Sequence, residues 1–597
     1  MKRMLLIVTT LLLPLSVTLS QTLADYVKET RGDTLVIKDY VDMGGAGVAN
    51  SLYNALNLDT SHVPAGRVYL LKASGYYPLV NNPSTLRNIV IVGADATPIV
   101  QNKNASSAPP LICGASWTGG SNTGSMNYSN NVTVKNCNID PSDAAGDKGW
   151  NFFSAQANNC TLTLDNDLFE RTLWVYFATG SPGQNYYVSN CYFVNMNGLA
   201  CRRNGGVMDS FGNMDTLVVE NCTHIMAEGS MYKFRGYPYT RVIFNHNNFI
   251  NCSGLMFMDW GLQTTMSMTN NIFVNCNVQG YAGIASIDVG EQDMDGQPMG
   301  LINIHTFPAD ASYDPFRSMP REYLFSGNVV YWDPKLTNAT DGVIHTLDAN
   351  NVNGHTNWMN QMIIMNQRTA GYFADKTNWP KLVLGKNYGW APPFTDSKDL
   401  LTAQVDVLKT FSISTCDTGS TAVMPDWRLT STGADNFVYP DWPIPVNLAY
   451  SDTSKLYTGA TGGFPVGDLN WFAAKKTTWL AQRDAEYAKI RAAMDAGLDP
   501  LGVAKSTYSP SEFALDQNYP NPFNPTTTIS FSLPHSANTT LTVFNVLGQE
   551  VATLINGYTT VGAHQVQFDA TRLASGTYFY RLTSGDFTQI KKMMLLK

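Results

Sequence analysis

Between residues 131 and 330, apolar and polar positions alternate in short blocks that repeat along the chain. NVTVKNCNI at 131–139 returns as TLTLDNDLF at 161–169, NYYVSNCYF at 185–193 and TLVVENCTH at 216–224. Three further copies are RVIFNHNNF at 241–249, TMSMTNNIF at 265–273 and EYLFSGNVV at 322–330. The second and fourth positions are always apolar: Val132/Val134, Leu162/Leu164, Tyr186/Val188, Leu217/Val219, Val242/Phe244, Met266/Met268 and Tyr323/Phe325. That alternation predicts a short strand with one face buried. The sixth position reads Asn136, Asn166, Asn190, Asn221, His246, Asn270 and Gly327. Asn and Gly tolerate the left-handed backbone of a sharp corner, and stacked Asn side chains would hydrogen-bond along a ladder.

Successive sixth positions lie 30, 24, 31, 25, 24 and 57 residues apart. A strand-then-corner unit at this period predicts a solenoid in which each coil buries its face on the next. No helical periodicity separates the blocks, which excludes a leucine-rich repeat and leaves a parallel β-helix. The competing reading, a β-sandwich with chance similarity among its strands, is disfavoured by seven registers of one pattern. A second strand is expected between blocks, at TLWVYF 172–177, LACRR 199–203, MYKFR 231–235 and MFMDW 256–260. These would form the second sheet of each coil.

The blocks resemble the right-handed, pectate-lyase-like β-helix superfamily over about half the chain. The resemblance implies an all-β fold, with GRVYLLKASGYYPL at 66–79 and NIVIVGAD at 88–95 as its first coils. An open first coil is a strand edge that needs covering, and a short helix at Ser51–Asn57 is the expected cap. From Asp341 the blocks stop. Residues 353–375 have helical spacing, and a Trp-rich stretch follows to Trp442. A later amphipathic helix presents Trp479, Tyr487, Ile490 and Met494 on one face and ends near Gly497.

Composition narrows the compartment. The 597 residues carry a formal net charge of −8 with 14% charged residues, and no basic stripe of the kind nucleic acid requires. The opening MKRMLLIVTTLLLPLSVTLSQTLA has a basic start, an apolar core and small residues at Ser20 and Ala24, which predicts a secretory signal peptide over 1–24. That apolar run is too short to span a bilayer, Pro14 interrupts it, and no transmembrane segment is expected elsewhere. Of nine cysteines, Cys137, Cys191 and Cys222 share one repeat slot, and Cys252 and Cys276 another. Buried thiols are the expectation, although neighbouring coils about 4.8 Å apart would also admit a Cys191–Cys222 disulfide.

The last residues alternate strands with tight turns at roughly ten-residue spacing, as a small Ig-like sandwich does. YPNPFNPTTTISFSLP opens this region at 519–534, NVLGQEV places Gly548 at a hairpin turn, and GTYFYRL closes at 576–582. It closely resembles the C-terminal sorting domain of the type IX (Por) secretion system. The resemblance implies passage through the inner membrane, folding in the periplasm and carriage across the outer membrane of a Gram-negative cell, with the type IX machinery as partner. The expected organisation is signal peptide 1–24, capped β-helix 25–340, closing segment and helix 341–500, linker 501–512 and sorting domain 513–597.

Chemistry is sparser. H-E-x-x-H, Walker and G-x-S-x-G motifs are absent. Counted from the corners, Arg202 and Lys233 share one column of the second strand with Met258. Arg203 and Asp259 share the next, and Arg235 and Trp260 the one after. A uronate lyase needs a base beside cations that neutralise the carboxylate. Lys233 is the candidate base, Arg202 or Arg235 the carboxylate holder and Asp259 a further catalytic group, with Arg203 and Trp260 on substrate. Alternatively the basic side chains pair with Asp209 or Glu228. Asp288, Glu291, Asp293 and Asp295, beside Gly296, form either a Ca²⁺ site of hard oxygen ligands or a solvated acidic loop; the spacing is not that of an EF-hand. Two functions remain open: a non-catalytic surface β-helix binding extracellular polysaccharide, or a lyase cleaving an acidic glycan by β-elimination.

Overall fold

The structure is a computed structural model described over residues 21–45, 50–59, 66–79, 84–85, 87–114, 126–141, 151–196, 205–282, 296–414, 427, 430–432, 438–440, 442–502, 513–515, 517–518, 521–533, 537–559, 562–585 and 587–596. The expected signal peptide falls almost wholly outside these residues.

The repeated blocks coil into a parallel β-helix with three sheets. A twelve-stranded sheet carries the first four or five residues of every block. Its register matches the repeat: Leu162 stands beside Val132, Tyr186 beside Leu162, Leu217 beside Tyr186, and so on to Tyr323 beside Met266. The second- and fourth-position side chains are all buried in one continuous core. Every sixth-position residue turns the corner with positive φ, from +51° at Asn221 to +74° at Gly327. One residue per coil thus supplies the left-handed bend at this corner, and a second set five positions on, Arg171, Asn195, Met226, Asn251 and Asn275, also has positive φ.

The expected Asn ladder is displaced by one position. Asn166 does donate to Asn136 Oδ1 at 2.8 Å. The longer ladder runs one residue further on, where Asn247 donates to Asn271 at 2.9 Å, Asn271 to Asn328 at 3.0 Å and Asn328 to Asn387 at 3.1 Å. These side chains are buried beneath the corner, where each other and the backbone satisfy them.

The tail of each block is itself a strand. Leu168–Glu170, Tyr192–Met196, Thr223–Ala227, Asn248–Cys252 and Ile272–Val274 belong to a nine-stranded second sheet. Of the strands expected there, 231–235 and 256–260 belong instead to the third, seven-stranded sheet, as Tyr232–Arg235 and Phe257–Asp259; 172–177 meets that sheet's strand Phe177–Thr179 only at Phe177, and 199–203 lies outside the described residues, the third-sheet strand that follows being Met208–Ser210. Second-sheet strands are buried on both faces, so no alternation marks them. Their outward side chains, Ile225, Ile250 and Val274 among them, pack against Leu400, Val405, Leu408 and Ile444 of the closing segment.

Val27–Arg31 pairs antiparallel with Thr34–Ile37 and covers the first edge of the long sheet. The helix Ser51–Leu58 caps the coil with Leu52, Ala55 and Leu56 in the core. The stretch expected to be helical over 353–375 is an α-helix only over Gln367–Ala374. Before it, Met359 exchanges backbone hydrogen bonds with Tyr281, and Leu301 and Ile302 donate to Ile363 and Ile364. Pairing with the solenoid overrides the local helical preference.

The helix Ala473–Ala496 ends at Gly497, whose φ is +67°. It buries Trp479, Ile490 and Met494 as expected, and also Glu486. It crosses successive corners and takes a polar group from each. Lys476 donates to Asn190 at 2.7 Å, Arg483 to Glu220 at 2.9 Å and Arg491 to Glu322 at 2.5 Å. Glu486 meets His246 Nε2 at 3.0 Å and accepts from Asn270 at 2.9 Å and from the Trp479 indole.

The described cysteines, Cys113, Cys137, Cys160, Cys191, Cys222, Cys252 and Cys276, are buried thiols. Residues 514–595 form an antiparallel two-sheet sandwich. Ala514–Leu515, Thr526–Leu533 and Gly562–Asp569 make one sheet; Glu550–Thr559, Ala537–Phe544, Gly576–Ser584 and Phe587–Leu595 make the other. Ile529, Phe531, Leu541, Tyr580 and Met593 fill the space between them, and Gly548 turns its hairpin at φ +77°. No helix among the described residues is long and apolar enough to cross a membrane.

Candidate functional site

The third sheet places Lys233 beside Asp209 and Met258, and Arg235 beside Asp259. A register shift between Lys233 and Arg235, with Arg235 at φ +51°, breaks the column there. In the coil before, the third-sheet strand is Met208–Ser210, so the residue beside Lys233 is an aspartate; residues 199–203 lie outside the described residues. The long 31-residue interval of that coil carries the strand further from its corner than counting suggests.

Asp209 is fully buried and holds the cluster together. Its Oδ1 accepts from Arg235 Nε at 2.7 Å, and its Oδ2 from Arg235 Nη2 at 2.7 Å and from the Trp174 indole at 3.0 Å. Lys233 Nζ lies 3.8 Å from the same oxygen, and the Lys233 side chain has no exposed surface. The two-pronged Arg–carboxylate contact fixes the guanidinium plane. The guanidinium carbon lies over the Phe211 ring at 4.4 Å, and Phe211 is 40% exposed. Asp259 is also buried; its Oδ1 accepts from the Gly261 backbone at 2.6 Å and from Gln263 at 2.7 Å. It therefore braces the turn after its strand. Burial pushes the nearby Tyr239 phenol well above its ordinary range, with Asp209 and Asp259 adding to the rise, so Tyr239 stays protonated.

A line of aromatic and cationic groups emerges from this packing. The Trp174 and Phe211 rings stand 6.1 Å apart at 50°. Phe211 carries Arg235, and Trp260 donates its backbone N–H to the Arg235 carbonyl at 3.2 Å. The Trp260 ring lies directly on Gly236, where an added Cβ would fall 2.4 Å from Cε3. Tyr313 donates to the Gly236 carbonyl at 3.0 Å. Trp174, Phe211, Arg235 and Trp260 come from four consecutive coils, so the line follows the solenoid axis for about 14 Å, three strand spacings.

Of the sequence-derived site residues, the structure brings Lys233 and Arg235 together on Asp209, and sets Asp259 and Trp260 at the adjoining turn. Arg202 and Arg203 lie outside the described residues, as do Asp288, Glu291, Asp293 and Asp295 of the possible Ca²⁺ loop. Among the described residues, no group of three His, Cys, Asp or Glu side chains is placed to hold a metal. Sequence reasoning did not mark Trp174 and Phe211 as site residues, and it offered Asp209 only as an alternative partner for the basic side chains. The signal was present in MDSF at 208–211, an inward–outward alternation ending in an aromatic.

These features define two classes of module, a parallel β-helix and an antiparallel terminal sandwich. Residues 517–596 match the family described as the secretion system C-terminal sorting domain, the Por secretion tail. That tail indicates export by type IX secretion. A search of the curated proteins found no match to the chain.

Proposed function

We propose that this is an exported β-helix protein that binds extracellular polysaccharide along the outer face of its third sheet. The observation that carries the reading is the Trp174–Phe211–Arg235–Trp260 line, which follows the coil axis with Phe211 exposed and the other three half-buried. Aromatic surface contributed by successive coils of a repeating scaffold suits a repeating ligand, because sugar rings stack their apolar faces on aromatic side chains while cations and carboxylates take the hydroxyls. The sorting tail supports the same reading by delivering the protein outside the cell, where it is secreted or surface-attached. The buried pairing of Lys233 with Asp209 supports binding over proton abstraction, since a general base must reach its substrate.

The test uses the purified exported protein against a panel of neutral and acidic polysaccharides, in gel-retardation and in ultraviolet assays for unsaturated uronates. Retardation by at least one polysaccharide without new absorbance is the expected result. New absorbance that is lost in Lys233→Ala would replace the binding reading with a lyase.

A further inference from the structure

Among the described residues the third sheet ends before the first does. Its last strand is Phe257–Asp259, whereas the first sheet continues through Glu322–Ser326 to Leu382–Leu384. In the two coils before that end, residues 236–238 and 260–262 carry the chain from the third sheet to the first. In the next coil the same corner is crossed by a long excursion, 305–321, which holds the short helices Ala311–Tyr313 and Asp314–Arg317. It leaves and re-enters at one point on the solenoid. His305 donates its backbone N–H to the Gly261 carbonyl at 3.2 Å, and Arg321 Nη2 donates to the same carbonyl at 2.6 Å. Long loops held on a rigid scaffold are where binding groups concentrate.

The excursion is firmly built. Arg321 is buried, donates to the His305 carbonyl at 3.0 Å so that the two ends are tied, and lies over the Phe307 ring at 4.7 Å. The Phe307 ring stands 6.3 Å from that of Tyr313 and 6.2 Å from that of Phe316. Asp310 accepts from the Ser312 backbone at 2.8 Å, and Arg317 donates to the Asp310 carbonyl at 3.0 Å. Tyr313 then reaches back two coils to the Gly236 carbonyl at 3.0 Å, the same residue on which the Trp260 ring rests. The three rings are half-buried. The Trp174–Phe211–Arg235–Trp260 line therefore does not run off the end of the solenoid. It advances by about 4.8 Å per coil into a wall of Phe307, Tyr313 and Phe316. A glycan laid along it continues freely towards Trp174, but past Trp260 it meets the wall, and such a clash selects against any chain that must continue. We propose that the line is a blind-ended site, which takes the terminal sugar of a polysaccharide beside Trp260 and Tyr313 rather than an internal stretch. This deepens the glycan-binding reading and rests on it.

The test includes linear xylan, mannan and polygalacturonate in the panel, each cut by partial acid hydrolysis into fractions of known mean chain length. Fractions of a polysaccharide that the exported protein retards in gels are titrated at equal mass by isothermal calorimetry. Binding sites per gram are expected to fall in inverse proportion to chain length, tenfold for a tenfold longer chain, because each chain offers one such end. Sites per gram that stay constant across the fractions overturn the proposal and leave the glycan-binding reading standing; retardation by no polysaccharide of the panel overturns both. A variant in which 306–320 is replaced by a short glycine linker opens the end of the line while keeping His305 and Arg321. Its sites per gram are expected to become independent of chain length, and a folded variant that keeps the inverse dependence overturns the proposal. Should the shortened chain fail to fold, the length series of the parent decides alone. Tyr313→Ala, which keeps the excursion, is expected to weaken binding of the shortest fraction at least fivefold with thermal unfolding unchanged, and parental affinity there removes Tyr313 from the site.

Discussion

Replacing Glu486 with alanine should loosen the whole helix Ala473–Ala496 from the solenoid. Glu486 is 3% exposed, and its carboxylate meets three buried groups: His246 Nε2 at 3.0 Å, Asn270 Nδ2 at 2.9 Å and the Trp479 indole. His246 Nδ1 faces the Gly467 carbonyl at 3.2 Å and must donate there, which leaves Nε2 turned to Glu486. Alanine strands His246 Nε2 and the Trp479 indole in a dry interface, while Asn270 keeps its bond to Asn245 Oδ1 at 2.9 Å. Each buried hydrogen bond left unmade costs about 1–3 kcal/mol, and water entering the vacated space recovers part of it. A net loss of about 3 kcal/mol follows from the stranded groups together. Glu486→Gln keeps one acceptor oxygen and should lose about 1–2 kcal/mol. Native-state hydrogen exchange on the helix amides reads this directly, because it reports local opening in a chain of several modules. Opening free energies that fall by less than about 1 kcal/mol in Glu486→Ala would refute the idea that this carboxylate clamps the helix.

His224 lies between the rings of Phe193 and Phe249, at 4.7 and 4.4 Å, and burial lowers its pKa from 6.5 to about 3. Its contribution is therefore complete above pH 6.5 and is lost as pH falls towards 3, on the order of 5 kcal/mol in all. His224→Phe should flatten that acid limb in urea titrations. Asp468, pushed up to about 6 by burial, works in the opposite sense between about pH 4 and 6, so variant and parent must be compared at each pH. Val219→Asp inserts an unpaired charge between Val188 and Phe244 in the core stack, and should cost several kcal/mol or abolish soluble protein. Asp209→Ala leaves Lys233 and Arg235 without their shared carboxylate; the thermal unfolding temperature should drop by several degrees and polysaccharide binding should weaken together with it.

The first sheet was legible over its earlier coils because it is buried there on one face only, whereas Gln263–Thr269 and Glu322–Ser326 are buried almost throughout. Val132, Leu162, Tyr186 and Leu217 alternate with exposed or half-buried neighbours, and the corner residues between sheets are the few types that accept positive φ. The second sheet was not legible as a sheet. Tyr192–Met196 and Thr223–Ala227 are covered inside by the core and outside by the closing segment, so period two disappears from them. The site was legible in its residues more than in its geometry. Lys233, Arg235, Asp259 and Trp260 do gather on one sheet and its adjoining turn. Their neighbour from the preceding coil is Asp209, however, because a coil of 31 residues moves the strand away from the position that equal counting assigns. Trp174 reaches the same site from an irregular segment before its strand, where no periodicity governs direction, whereas Phe211 directly follows Met208–Ser210 and continues its alternation. The terminal sandwich was legible throughout, since hairpin turns and one-sided burial leave the strongest short-range signals a sequence can carry.

The most direct measurement is isothermal titration of the exported protein with the polysaccharide it retards in gels, repeated for Trp260→Ala and Phe211→Ala. Each substitution removes one aromatic from the line while leaving both partners of the Asp209–Arg235 contact in place, and each is expected to weaken binding at least tenfold with unfolding unchanged. Affinity that stays within twofold of the parent in both variants would contradict the assignment of the third-sheet face as the glycan-binding surface.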